Sequence, residues 1–411
     1  MAEVEGRRMF VPGALPGEQA RVRLGHGPAD LIEIETPSPD RVVPPCTLFG
    51  TCGGCAIQQL SLPALAQWKA DRVGQALMRA GFASVTPKIE QVLPLTRRRI
   101  DLAAKRVSGG VILGLHRRQG DPVDMTECHI LDPRLFALLA PLRIVLASLG
   151  ALTADGDVLL NLLDSGPDIL LATDVELGAA DRTKLAAFAR AQGVPRIGWR
   201  SRRGRAVAEI VAQTGPVRQN FAGASVSPPL GAFLQAAPDG ERAIVKAVIA
   251  ALPKLNRRDV IAELYAGCGT LTFPLAEHGR VCAFEGDAGA SAAVRRAMAG
   301  RRIEITARDL GRQPLMSKEL SDARLCVLDP PYSGAAPQIG EIAASSLRDV
   351  IYVSCNPQAL EADASRLHQA GFTLESITVV DQFLWSTEVE SVIAFRRGSS
   401  RRTRSGPSRS G

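Results

Sequence analysis

The chain has 411 residues, 46% of them hydrophobic but only 4% aromatic, and a formal net charge of +7. That length suits two or three domains packed mainly by aliphatic side chains, and the basic balance suits a phosphate-bearing partner. No uncharged apolar run is long enough to span a membrane: the longest candidate, Leu135 to Ala151, is interrupted by Pro141 and Arg143. The opening MAEVEGRRMF carries no apolar signal region, so a cytoplasmic protein with no membrane partner is expected. Arginines cluster at Arg97–Arg99, Arg117–Arg118 and Arg200–Arg205, as phosphate contacts would require.

Residues 1–43 alternate β-branched and polar side chains between Gly and Pro, which predicts either a short, truncated β-barrel of the TRAM or OB kind or a simple N-terminal β-extension. PPCTLFGTCGGC follows. Cys46, Cys52 and Cys55, spaced C-x5-C-x2-C in a flexible loop, can converge on one metal centre. Cys128 is the expected fourth ligand, with His129 a weaker candidate. This spacing does not separate zinc from an iron–sulfur cluster. Leu62 to Gly81 reads as an amphipathic helix with Leu65, Trp68, Val73, Leu77 and Met78 on its apolar face. RRRIDLAAKRVSGGVILGLHRR reads as a hairpin turning at Gly109–Gly110. Mixed α/β structure continues to about residue 225, with no catalytic signature. His26, His116, His278 and His368 are isolated and read as structural or surface residues.

From about Pro228 the pattern becomes strictly β/α. DVIAELYAGCGT predicts a strand entering a Gly-rich turn, and the next strand, VCAFEGD, ends in Glu285. Such a turn admits an adenosine-bearing ligand, and the acid takes its ribose hydroxyls. The turn lacks a full dinucleotide fingerprint and a Walker lysine. A third strand ends near Asp309, and S-adenosylmethionine fits this set better than NAD or ATP. Two apolar runs then end in DPPY and SCNP, which places Asp329 and Cys355 on one rim of one sheet. Cys355 reads as a nucleophile. FTLESITVVDQFLWSTEVESVIAFRR predicts two closing antiparallel strands around a loop. The Ser-, Gly- and Arg-rich end reads as a disordered tail.

Taken together, these residues resemble the RNA 5-methyluridine (uracil-C5) methyltransferase family, above all its iron–sulfur branch acting on 23S rRNA. The likeness rests on CTLFGTCGGC with Cys128, FLQ at Phe233–Gln235, ELYAGCGT at Glu263–Thr270, Glu285, Asp309, DPPYSG, SCNP and the segment Asp381–Glu390. It implies an α/β fold: a Rossmann-like class I methyltransferase domain, a cysteine-bearing central α/β domain and a short N-terminal barrel. The expected boundaries are 1–43, 44–227, 228–398 and a tail at 399–411, with the helix at 62–81 packing on the catalytic domain. The resemblance further implies a [4Fe–4S] cluster on Cys46, Cys52, Cys55 and Cys128, and S-adenosylmethionine contacts from Gln235, Tyr265, Thr270, Glu285, Asp309 and Asp329. It makes Cys355 the nucleophile and Glu390 the base, with Glu388 a rival. Phe233 is the candidate platform for a base drawn out of the RNA stack.

The chain departs from the family's pattern where Tyr332 replaces Arg, Ala237 replaces Asn, and FLWSTEVE replaces F-P-x-T-x-H-x-E. Two other readings compete: an exocyclic-amine methyltransferase using DPPY, which needs no thiol, and an inactive iron–sulfur RNA-binding protein.

Overall fold

The computed structural model describes residues 2–4, 6–25, 27–117, 120–203 and 207–398. His26, Arg118, Arg205 and the basic tail from residue 399 lie outside the described residues.

The chain opens with strands β1 (Ala2–Val4), β2 (Arg7–Met9), β3 (Gln19–Arg23) and β4 (Asp30–Thr36). They pair as two separate antiparallel ladders, β1–β2 and β3–β4. Among the described residues these two ladders do not join into one closed sheet. The cysteine loop leads into helix α1 (Leu62–Arg79). Pro63 in its first turn costs no hydrogen bond, and Leu65, Ala66, Ala70, Val73, Ala76 and Leu77 repeat at helical spacing to form its buried face. Met78 is largely exposed, whereas Lys69 is fully buried. The helix stops at Gly81, where φ is +104° and a Cβ would come within 2.7 Å of the His368 ring, so only glycine fits.

Strand β5 (Lys88–Gln91) comes next, then β6 (Arg99–Val107) and β7 (Gly110–Gly114). Val107 pairs with Gly110, so the turn residues are Ser108 and Gly109, one position earlier than the sequence suggests. Helices α2 (Pro133–Phe136) and α3 (Leu139–Ser148) precede β8 (Asp155–Leu163) and β9 (Gly166–Thr173). Helix α4 (Ala179–Gln192) and strands β10 (Arg196–Ser201) and β11 (Glu209–Gln213) complete a sheet of order β11-β10-β9-β8-β6-β7. Its core is Leu-rich, with Leu113, Leu135, Leu160 and Ile169 fully buried. A small hairpin, β12 (Gln219–Phe221) and β13 (Ala224–Val226), leads to the second half.

There α5 (Pro238–Ala250) is followed by β14 (Val260–Leu264), α6 (Thr272–Leu275), β15 (Arg280–Glu285), α7 (Ala288–Ala297) and β16 (Ile303–Ala307). Strand β17 (Ala323–Leu328), α8 (Ala336–Ala344), β18 (Asp349–Ser354), α9 (Pro357–Gln369), β19 (Phe372–Asp381) and β20 (Glu390–Arg397) finish the chain. The sheet order is β16-β15-β14-β17-β18-β20-β19-β5. Strands β14 to β18 run parallel, as βαβ units require, and their sequences are apolar because helices cover both faces. Strand β5 crosses from the first half to pair in parallel with β19, and α1 packs on α9 and β19. No helix among the described residues is long and apolar enough to cross a membrane.

Candidate active site

Ligands of open parallel sheets bind where the strands end, and most of the sequence-predicted residues meet there. β17 and β18 are parallel neighbours, with Leu328 opposite Tyr352, so Asp329 and Cys355 follow strand ends on the same rim. Asn356 fixes the turn after Cys355: its side chain accepts from Gln358 N–H, capping α9, and donates to the Tyr332 carbonyl at 2.9 Å. The SCNP and DPPY loops are thereby tied to each other.

Cys355 is partly buried. Burial pushes its thiol up to about 12, and the nearby Glu390 and Asp329 carboxylates push it in the same direction. Both carboxyl groups are themselves raised, Asp329 by burial and Glu390 by burial and the Asp329 charge. Two close carboxyls in a dry site cannot both ionise freely, so they hold protons as a pair. Glu390, the first residue of β20, is only 4% exposed. Gln382 connects the set: its Nε2 donates to Glu390 Oε2 at 3.1 Å and to Gln235 Oε1 at 2.7 Å. Gln235 Nε2 in turn reaches Asp329 Oδ2 at 3.4 Å. Glu388 is partly buried, and its backbone N–H donates to Ser386 Oγ.

The other expected cofactor contacts lie around the β14 turn. Tyr265 adopts φ +63°, strained for a non-glycine residue, and Gly267 (+56°) and Gly269 (+97°) continue the tight turn. Gly267 N–H donates to Glu285 Oε2 at 2.7 Å, and Asp287 N–H donates to Glu285 Oε1 at 2.6 Å. A Cβ on Gly267 would meet no atom within 4 Å, so the turn borders open space beside that carboxylate. Asp309 is exposed, and its Oδ1 accepts from Gly311 N–H. Arg308 N–H donates to the Glu285 carbonyl, which keeps the Asp309 segment beside the end of β15. Thr270 sits apart from this group, lining a groove with Arg242, Lys246, Pro274 and Glu277. Phe233 is 64% exposed, with the Arg99 guanidinium 5.4 Å from its ring centroid.

Cys46, Cys52, Cys55 and Cys128 line one hollow of ≈ 370 Å³, counting space open to solvent. Burial raises the thiols of Cys46, Cys55 and Cys128, Cys55 to about 11, and neighbouring cysteines add to the effect on Cys55. The largely buried Arg97 guanidinium lies near Cys128 and Cys55 and offsets negative charge there. Among the described residues, no group of three or more His, Cys, Asp or Glu side chains is placed to hold a single ion. His129 lies 3.7 Å from Glu127.

One basic cluster is corrected. Arg97 donates from its Nε to the Arg99 carbonyl near Cys128 and Cys55, Arg98 forms a buried ion pair with Glu241, and Arg99 packs against Phe233. Arg97 and Arg98 point inward rather than forming a phosphate-binding surface. Sequence reasoning also missed Gln382, Lys69 and the buried Glu263, whose carboxyl is pushed up to about 8 by burial. Gln382 sits inside the closing segment, but no spacing rule singles out its amide.

Residues 306–398 match the family described as tRNA (Uracil-5-)-methyltransferase. An uncharacterized RNA methyltransferase of Caulobacter vibrioides is 36% identical, with 96% of this chain and 95% of the relative covered. The 23S rRNA (uracil(1939)-C(5))-methyltransferase RlmD of Halomonas elongata is 30% identical, covering 100% of this chain and 89% of its own. The fold is similar to that of the Pyrococcus abyssi tRNA (uracil-54, C5)-methyltransferase solved with S-adenosyl-L-homocysteine. The TM-score is 0.71, the identity 18%, and the coverage 94% and 95%.

Proposed function

Because the chain belongs to the RNA uracil-C5 methyltransferase family and is an S-adenosylmethionine-dependent enzyme of it, we propose that it methylates C5 of a uridine in 23S rRNA through a covalent bond between Cys355 and C6 of the base. The observation that carries this reading is the convergence of Cys355, Asp329 and Glu390 at adjacent strand ends, linked through Gln235 and Gln382.

The chemistry follows from the poor nucleophilicity of uracil C5. Cys355 gives its proton to solvent and its sulfur adds to C6, so the ring becomes an enolate while the Glu390 carboxylate stays free to act later as base. S-adenosylmethionine, when bound, supplies an electrophilic methyl group. C5 would accept that methyl group, the demethylated cofactor being the leaving group. Glu390 then removes the C5 proton, the S–C6 bond breaks, and Cys355 leaves as thiolate. Glu390 is preferred to Glu388 because its carboxylate is the one tied to Gln382. Phe233, exposed beside Gln235, offers a stacking face for the flipped base. Gln235, Tyr265, Glu285, Asp309 and Asp329 would hold the cofactor, with Glu285 the acid for its ribose hydroxyls.

The four thiols that line one hollow supply the soft donor set that an iron–sulfur cluster takes. Cys46, Cys52, Cys55 and Cys128 would hold a [4Fe–4S] cluster, which ties the loop at 46–55 to residue 128 and stabilises that long closure. Methyl transfer moves no net electrons, so no step runs through it. Cys52→Ser is expected to lower bound iron and acid-labile sulfide and to reduce the melting temperature, measured by elemental analysis and circular dichroism.

The deciding experiment maps 5-methyluridine by mass spectrometry in ribosomal and transfer RNA from a strain lacking the gene. Loss at one 23S uridine, restored by the wild-type protein but not by Cys355→Ala, is expected. With labelled cofactor, Glu390→Gln should trap a denaturation-resistant RNA–protein adduct. An N-methylated product, or full activity of Cys355→Ala, would instead favour amine methylation.

A further inference from the structure

The segment joining β19 to β20 carries Gln382 and ends at Glu390, and residues 56–91 grip it at alternate positions. Lys69 Nζ donates to Asp381 Oδ1 at 2.5 Å and to the Phe383 carbonyl at 2.8 Å. Gln91 Nε2 donates to Asp381 Oδ2 at 2.9 Å and to the Leu62 carbonyl at 2.8 Å. Ala56 and Ile57 N–H both donate to the Trp385 carbonyl, at 2.7 and 3.0 Å. Arg72 donates to the Thr387 carbonyl. Trp385 is held at φ +56°, a left-handed conformation that a bulky residue keeps only when its surroundings enforce it.

Lys69 is the unexpected member. It lies on the buried face of α1, amid apolar residues, with its side chain 0% exposed, as is that of Asp381. Removing an ammonium and a carboxylate from water is costly, and an apolar pair of similar volume often serves stability as well or better. A buried pair of this kind is best suited to fixing one geometry among several. The geometry it fixes is that of Asp381, whose chain neighbour Gln382 holds the Glu390 carboxylate. We infer that Lys69 is a positioning residue for the candidate base: through Asp381 it sets Gln382, and through Gln382 it aims Glu390 at the covalent intermediate.

This inference rests on the reading of Glu390 as base, and the test separates the two. Lys69→Met alone leaves a buried, uncompensated carboxylate and is expected to unfold. Lys69→Met/Asp381→Asn removes both charges and is the informative variant. The probe is total RNA from the strain lacking the gene, with methyl-labelled S-adenosylmethionine. The double variant should bind cofactor with wild-type affinity and form the methylated covalent adduct at a near-normal rate. It should resolve that adduct at least about tenfold more slowly, so that a protein–RNA band accumulates on denaturing gels. Glu390→Gln is run alongside. If it accumulates adduct and the double variant does not, the positioning role is wrong and the base assignment stands. If neither does, the base assignment fails, and this inference fails with it. A double variant that is unfolded by circular dichroism, or one that loses cofactor binding and adduct formation in equal measure, would show the pair to be merely structural and overturn the proposal.

Discussion

Cys355, the proposed nucleophile, is held in its protonated form. Burial and two carboxyl neighbours keep the free thiol protonated at neutral pH, so reactivity must await the changes in charge and solvation that come with substrate and cofactor. In the free enzyme, Cys355 should alkylate with iodoacetamide several-fold more slowly than a free cysteine at neutral pH. Asp329→Asn should speed the reaction by removing one repelling charge. Tryptic mass spectrometry of the 355 peptide measures both. Glu263 offers a test in stability. Its carboxyl is raised in the folded state to about 8, above its ordinary value of 4.5, so between those values the folded chain holds a proton that the unfolded chain releases. Stability is therefore greatest below about pH 4.5 as far as this group is concerned, and falls as pH rises toward 8. Glu263→Gln should raise the melting temperature by a few degrees at pH 8, and the gain should vanish near pH 5. A gain independent of pH would rule out the titration as its cause.

Among the elements, β6 matters as much to the site as the strands that carry it. Arg98, just before β6, donates from its backbone N–H to the Ala236 carbonyl and from Nε to the Gln235 carbonyl, and pairs with Glu241 in the first turn of α5. The first half of the chain thus holds Gln235 from one side while α1 holds the Gln382 segment from the other. Removing one partner of a buried pair strands the other charge, at a cost of about 3–5 kcal/mol. Arg98→Met should therefore destabilise the protein by about that amount in urea melts. Arg98→Met/Glu241→Gln should recover most of it. An Arg98→Met variant as stable as wild type would show that the pair contributes nothing.

At the scale of the whole molecule, the net charge of +7 belongs to an enzyme that must hold a polyanion. With Arg97 and Arg98 turned inward, RNA affinity must come from other basic residues, such as the exposed Arg203 near the end of β10. Binding should weaken with added salt, log K falling by about 0.7 per phosphate contacted for single-stranded RNA. Filter binding between low and high potassium chloride reads that slope. An affinity independent of salt would contradict phosphate contact.

The β/α half was legible from sequence because its signals are local. An apolar run, an abrupt turn and a Gly-rich loop are each read within a dozen residues, and they place Asp329, Cys355 and Glu285 at strand ends. Strands β5, β10, β12 and β13 were not legible, being short or, like Arg196–Ser201, lacking alternation. Nor was the inward turn of Arg97 and Arg98: a run of arginines looks the same whether it meets phosphate or a buried glutamate.

The sequence by itself determined the order of strands and turns in the β/α half and the chemical inventory at their ends, because backbone propensity and hydrophobic periodicity act between near neighbours in the chain. Only the tertiary structure decided which of those groups meet. Lys69 and Asp381 lie 312 residues apart, and Arg98 and Glu241 lie 143 apart. A buried charge selects its partner by the shared cost of leaving water, and that cost is set by the packing of the whole fold rather than by any stretch of chain.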